Sequence, residues 1–242
     1  MIILITDFGL EGPYIGQMLS VLYQRAPSVP VISLFADAPV HNPRATAYLL
    51  AAYAQGFPPE SIFLCVIDPG VGSGVHPPVV IRVNDQWFIG PDNGLFNVIA
   101  KRGKALKRWA ITWRPERLSA SFHGRDLYAP VAARLAKGEL PLGGPSPFEI
   151  VGPWPEDLYE VIYIDHFGNA MTGIRASMLS KDRVLEVNHH PLRHARTFAE
   201  APVGHAFWYE NANGLIEIAV NQGRADQHLA IRISDKIALG AR

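Results

Sequence analysis

Cysteine is nearly absent: Cys65 is the only one in 242 residues, so no bridge can form within the chain and a disulfide scaffold is excluded. Cys65 lies inside the apolar run 62–67, where a thiol behaves as a small hydrophobe. Charge is sparse and balanced. Charged residues make up 18% of the chain and 22 Lys and Arg meet 22 Asp and Glu, which removes the electrostatic footprint of a duplex-wrapping protein or of a binder of anionic membranes. Pro, Gly or a charge interrupts every apolar stretch before it reaches the ~20 residues of a spanning helix. Neither a basic leader nor a small-residue cleavage site is found ahead of the first apolar run. The expectation is a soluble, cytoplasmic chain that engages neither nucleic acid nor membrane. Internal repeats and low-complexity tracts are missing as well.

What the chain does have is 48% hydrophobic residues, enough for one large core or two modest ones. Aliphatic and β-branched runs at 2–5, 29–35, 62–67, 79–83 and 87–89 read as strands. Residues 14–25 and 43–54 place apolar side chains on one helical face, and 128–137 carries Pro130 near its start and Gly138 at its stop. The alternation predicts an α/β fold class whose N-terminal part, residues 1–140, is a layered, Rossmann-like domain. A Pro- and Gly-rich linker at 141–156 cannot sustain helix or central strand. Beyond it, strand signals at 159–164, 184–187, 205–209, 215–220 and 229–233 predict a small C-terminal β-barrel domain over 157–242.

Four acidic residues stand directly after apolar strands, where α/β domains collect ligands: Asp7, Asp68, Asp92 and Asp165. A single carboxylate there is more often only an N-cap or an Asx-turn former, and it is the four together that point to a ligand site. The run Asp68-Pro69-Gly70-Val71-Gly72-Ser73-Gly74 is not a phosphate loop, because Val75-His76-Pro77-Pro78 follows in place of the Lys-Ser/Thr that would grip phosphates. His123 sits in Phe122-His123-Gly124-Arg125-Asp126, as a proton carrier or as a bystander to an Arg125–Asp126 ion pair. A metal site from Asp7, Asp68, Asp92 and His123 lacks any accompanying His-x-x-x-His or Cys-x-x-Cys pair, and the expectation is no metal and no cofactor. Ile164-Asp165-His166-Phe167-Gly168-Asn169 offers an acid, an aromatic and an amide for a cationic, heteroaromatic ligand, or else a hairpin turn with a packed Phe. Asn213-Gly214 suits a tight hairpin into 215–220.

Thr6-Asp7-Phe8-Gly9, Asp68-Pro69-Gly70-Val71-Gly72-Ser73, Gly90-Pro91-Asp92-Asn93-Gly94-Leu95, Phe122-His123-Gly124-Arg125-Asp126, Ile164-Asp165-x-Phe167-Gly168-Asn169 and Glu217-Ile218-Ala219-Val220-Asn221 together resemble the S-adenosylmethionine hydroxide adenosyltransferase family. The motifs span nearly the whole chain in the family's order. The resemblance implies an N-terminal α/β domain, a C-terminal β-barrel, and a homotrimer with active sites between the N-domain of one subunit and the C-domain of its neighbour. It implies S-adenosylmethionine or adenosine as ligand, with hydrolysis to adenosine and L-methionine by in-line attack of water on C5′. Asp7 would then hold the ribose hydroxyls, with Tyr14 also at the substrate. Asp165 would face the methionine ammonium, Phe167 and Asn169 would line the nucleoside, and the backbone near Val220 and Gln222 would approach adenine.

In that family an Asp, an Arg and a His activate the water. Asp68 and His123 match the first and last, while Val75 takes the place of the Arg and His76 stands next to it. Gly12, Val40 and Ala212 also depart from the family, where an Asp, an aromatic and a Ser are usual. A halide-transferring activity is disfavoured because Asp68 would repel the anion in a dry site. The alternatives are a nucleoside-binding protein without turnover and a metal-dependent hydrolase.

Overall fold

The computed structural model describes residues 1–139 and 143–240. The start of the expected linker, residues 141 and 142, and residue 140 before it therefore lie outside the described residues. The described chain is mixed α/β with three sheets and few helices, as its alternating patterns lead one to expect. It divides into two compact units, Met1–Ala47 with Phe57–Pro153, and Tyr48–Gly56 with Trp154–Arg242.

In the first unit the chain runs β1 (Ile2–Thr6), α1 (Tyr14–Arg25), β2 (Val31–Phe35), the start of α2 (Pro43–Tyr53), β3 (Ile62–Val66), β4 (Pro78–Val83), β5 (Gln86–Pro91), α3 (Asn97–Arg102), β6 (Leu106–Ala110) and α4 (Ala129–Ala136). Its six-stranded sheet has the order β2-β1-β3-β5-β4-β6. The four strands β2, β1, β3 and β5 are parallel, and β4 is antiparallel to both of its neighbours. Strands β1 and β3 are buried at every position, which is why both read as unbroken apolar runs rather than alternating ones. One face of the sheet packs Leu4, Leu64 and Val80 against Met18 and Leu22 of α1 and Val131 of α4. Removing such side chains from the interior costs roughly 2–5 kcal/mol each.

In the second unit, β7 (Leu158–Ile164), β8 (Ala170–Arg175), β9 (Leu185–Val187), β10 (His190–Leu192), β11 (Ala206–Glu210), β12 (Leu215–Val220), α5 (Ala225–His228) and β13 (Ala238–Leu239) follow in turn. They form a four-stranded sheet β11-β12-β8-β7 and a three-stranded sheet β10-β9-β13. Single bridges join His194 to Trp208 and Glu160 to Lys236. The core gathers Val161, Ile174, Leu185, Trp208, Ile216 and Ile218.

The strand expected at 229–233 is not formed. Helix α5 occupies the preceding residues, and Ala230 and Ser234 take φ of 51° and 78°, values that no strand accommodates. Leu229 and Ile231 are buried without ladder partners, so their apolar alternation reflects burial of a turn. Several elements went unread: β6, whose Lys107 and Arg108 dilute its apolar signal, β8, hidden behind its turn motif, and the short α3, α5, β10 and β13. Among the described residues no helix is long and apolar enough to cross a membrane.

Candidate functional site

The strand order reverses at β1, with β2 on one side and β3 on the other. The crevice outside the carboxyl ends of such strands is where open α/β sheets receive ligands. Asp7 follows β1 and Asp68 follows β3, and both line a cavity of ≈ 190 Å³ together with His41, Phe122 and His123. Asp7 accepts the His41 backbone N–H at 2.9 Å. Asp68 accepts the Gly70 N–H at 3.2 Å. Burial raises the Asp68 carboxyl above the usual carboxylate range, opposed by the Gly70 N–H and by His76 and His123 and reinforced by the charge of Asp7. A base so placed is stronger than a free aspartate. His123 directly precedes a π-helical turn, Gly124–Tyr128, a rare widening of the helix that recurs at functional sites. Tyr128 is buried, and its phenol is pushed up by burial and by the Asp68 charge.

His76 stands outside the lining of this cavity but close to its base. A Cβ added to Gly70 would lie 3.0 Å from the His76 Cδ2, so the imidazole rests against the backbone of this loop and a larger residue at 70 would press on it. Val75, next to it, is 70% exposed. Tyr14 belongs to a neighbouring recess of ≈ 480 Å³ that shares Phe8, Ser121 and Phe122 with the first. Its ring meets Phe8 and Phe122 at centroid distances of 5.8 and 5.4 Å. Arg125 and Asp126 form a forked ion pair at 2.6 and 3.0 Å, and Arg125 also donates to Gln17; this pair is architectural. Asp92 is clamped by Arg108 at 2.6 Å and does not line the cavity of Asp7 and Asp68.

In the second unit, Asp165, Phe167, Asn169, Val220 and Gln222 line one cavity of ≈ 660 Å³ with Tyr209, Glu217 and Arg224. The β7–β8 turn is closed by Asp165, which accepts the Asn169 N–H at 2.8 Å and its side-chain amide at 3.2 Å. Asn169 therefore spends one amide hydrogen on Asp165 and keeps its carbonyl oxygen and the other hydrogen. Gly168 has φ of 83°, and a Cβ there would meet Asp226 Oδ1 at 2.5 Å, so the turn requires glycine. Arg224 donates to Asp226 at 2.8 and 3.1 Å and to the His166 carbonyl at 2.7 Å. Phe167 is 71% exposed, which corrects the alternative of a packed hairpin Phe. The loop from β11 to β12 spans Asn211–Gly214 and is closed by the Gly214 N–H on the Asn211 carbonyl.

His41, Tyr209, Glu217 and Arg224 are lining residues that the sequence did not single out as site residues. The signal for Glu217 was present, since an acid stands inside a strand that is otherwise wholly apolar. It is 3% exposed and accepts the Tyr209 hydroxyl and the Asn211 amide, the latter at 2.9 Å. Burial raises its carboxyl above the usual range more than those two donors lower it. The folded state thus holds this proton to higher pH than the unfolded chain does. The associated stability is fully present below the ordinary Glu range and is lost as pH rises through the folded value. Glu217→Gln cannot ionise, so thermal unfolding of variant and wild type compared between about pH 4 and pH 8 should show the variant gaining as pH rises. A gap that does not change with pH would exclude this role of burial.

Family models for the S-adenosylmethionine hydroxide adenosyltransferase N-terminal and C-terminal domains match residues 2–143 and 159–238. An (R)-S-adenosyl-L-methionine hydrolase of Salinispora arenicola is 34% identical over 252 residues, covering 98% of this chain and 96% of the relative. One from Thermus thermophilus is also 34% identical, with 94% of each chain covered. A crystal structure of an uncharacterized conserved protein from Thermotoga maritima superposes with a TM-score of 0.89 at 29% identity, covering 100% of both chains.

Proposed function

Since the chain belongs to the S-adenosylmethionine hydroxide adenosyltransferase family, we propose that it hydrolyses S-adenosyl-L-methionine to adenosine and L-methionine. Water or hydroxide attacks C5′ in line with the departing sulfur, and the electron pair of the C5′–S bond leaves with neutral methionine sulfur. The sulfonium is already a good leaving group, so the protein's share is to hold the water, remove its proton and exclude solvent. The observation that carries this reading is Asp68: a carboxylate whose affinity for a proton is raised by burial, in one cavity with Asp7 and His123. In this scheme Asp68 takes the proton, His123 stabilises the hydroxide as it forms, and Asp7 grips the ribose diol. Tyr14 closes the substrate side of the same region. The scheme uses no metal or cofactor.

In this reading the second unit of a neighbouring subunit carries the remaining ligand contacts. Asp165 faces the methionine ammonium, Phe167 stacks on the nucleoside, Asn169 reads the adenine edge, and the backbone at Val220 and Gln222 approaches the base. The exposure of Phe167 suits a residue that is covered only when a ligand arrives. Domains over 1–140 and 157–242, with the second a β-barrel, are part of this reading; the bridges at His194–Trp208 and Glu160–Lys236 support closure of the two smaller sheets into one circuit. So are a layered, Rossmann-like first domain, a homotrimer with its sites at subunit interfaces, and a soluble cytoplasmic enzyme. Incubation with S-adenosyl-L-methionine followed by chromatography tests the activity, and absence of adenosine would refute it. Tight adenosine binding without turnover would instead establish the nucleoside-binding alternative, which the exposed Val75 in place of the family's Arg favours.

His76 takes over the role of the missing Arg in this account, because it already acts electrostatically on Asp68 while Val75 points to solvent. His76→Ala is expected to slow turnover on the order of 10²-fold, the size of losing one preorganised partner of a developing charge. Val75→Arg should add little. Steady-state rates for both variants decide the point: a large gain from Val75→Arg with no loss from His76→Ala would show that the site is weakened rather than rewired.

A further inference from the structure

The residue that holds Asp7 has an uncommon backbone. The turn Pro39–Asn42 is closed by the Asn42 N–H on the Pro39 carbonyl at 3.1 Å, which makes Val40 and His41 its two central residues. His41 has φ of 54°, while Val40 is not among the residues with positive φ. One left-handed residue at the third position of a closed four-residue turn is the signature of type II. Types I and II differ by a flip of the central peptide, here the one between Val40 and His41. In the observed state that peptide aims its N–H at Asp7 Oδ2, 2.9 Å away. Flipped, it would turn its carbonyl toward a carboxylate. The position is filled neither by glycine nor by asparagine, the residues that type II turns favour there, although His tolerates left-handed φ better than most side chains do.

We propose that the left-handed His41 is a positioning residue: it keeps the Val40–His41 peptide in the orientation that fixes the Asp7 carboxylate for the ribose diol. The work is done by the backbone N–H, not by the imidazole. This rests on the reading of Asp7 as the ribose-binding residue. One lone pair of Oδ2 is committed to His41, and the carboxylate plane is thereby set before ligand arrives, so the remaining lone pairs meet two vicinal hydroxyls without further ordering. A residue that resists φ > 0 at position 41 would shift the turn toward type I and remove this support.

The test uses full-length variants and adenosine affinity by calorimetry, with KM and kcat read alongside. His41→Val, β-branched and poorly suited to left-handed φ, is expected to weaken adenosine binding at least tenfold and to raise KM with kcat nearly kept. His41→Gly and His41→Asn remove the imidazole but accept the turn, and should restore affinity to within about twofold of wild type. In an Asp7→Ala background, His41→Val should cause no further loss, because the support has nothing left to hold. Equal weakening by Gly, Asn and Val would assign the role to the imidazole and overturn the proposal. Full additivity of His41→Val with Asp7→Ala would overturn it as well, by making the effect merely structural. If Asp7→Ala alone leaves affinity unchanged, it is the ribose reading of Asp7 that fails; if Asp7→Ala weakens binding and His41→Val does not, only the His41 proposal fails.

Discussion

Asp68→Asn is expected to lower kcat about 10²- to 10⁴-fold, the usual range for loss of a general base, while leaving adenosine affinity within about twofold. The substitution is nearly isosteric, and an amide oxygen can still accept the Gly70 N–H that orients the native carboxylate. What it removes is the proton acceptor. Because burial lifts the Asp68 carboxyl above the usual range, kcat/KM of the wild type should rise with pH through an ionisation above that of a free aspartate, near 3.9. The variant's residual rate should lose that limb. Unaltered turnover in Asp68→Asn would show that the attacking water is activated elsewhere.

Asp7→Ala should act on binding instead. Two hydrogen bonds to a charged acceptor contribute roughly 1.5–3 kcal/mol each, so even the low end corresponds to about 10²-fold in the adenosine dissociation constant. The diol is not reacting, and its interactions are alike in ground and transition states. The loss is therefore expected in KM, with kcat little changed. An affinity equal to wild type by calorimetry would reduce Asp7 to a former of its loop. The His41 N–H, which Asp7 now accepts, would be left to solvent in the variant, which adds a small destabilisation without reaching the rest of the sheet.

Strands β1 and β3 of the first unit were legible because burial on both faces writes them as continuous apolar runs, and Asp7 and Asp68 at their ends were legible because a carboxylate after such a run has no place in the core. Residues 215–220 were read as a strand for the same reason. What the sequence did not convey was pairing and backbone conformation. Strand β6 carries Lys107 and Arg108 at the sheet edge, so its ladder with β4 rather than its side chains makes it a strand. Leu229 and Ile231 present the opposite case: apolar residues at alternate positions that are buried by a turn whose left-handed φ angles no local pattern announces. His41 escaped because its contribution comes from a peptide orientation, and Glu217 because its partners Tyr209 and Asn211 approach only once the hairpin is built. Asp92 was misleading for the mirror reason: its neighbour Arg108 comes from another strand, and the pairing removes it from the chemistry.

Hydrolysis of S-adenosyl-L-methionine in water enriched in ¹⁸O tests the central claim most directly. In-line attack at C5′ by a water that Asp68 deprotonates places the solvent oxygen in the 5′-hydroxyl of adenosine, and the methionine released carries none from the reaction. Mass spectrometry of the separated products should find the label in adenosine alone, with the wild type producing it steadily and Asp68→Asn producing it at a rate lower by two orders of magnitude or more. Unlabelled adenosine, label in the amino-acid product, or no adenosine at all from well-folded protein would contradict the account.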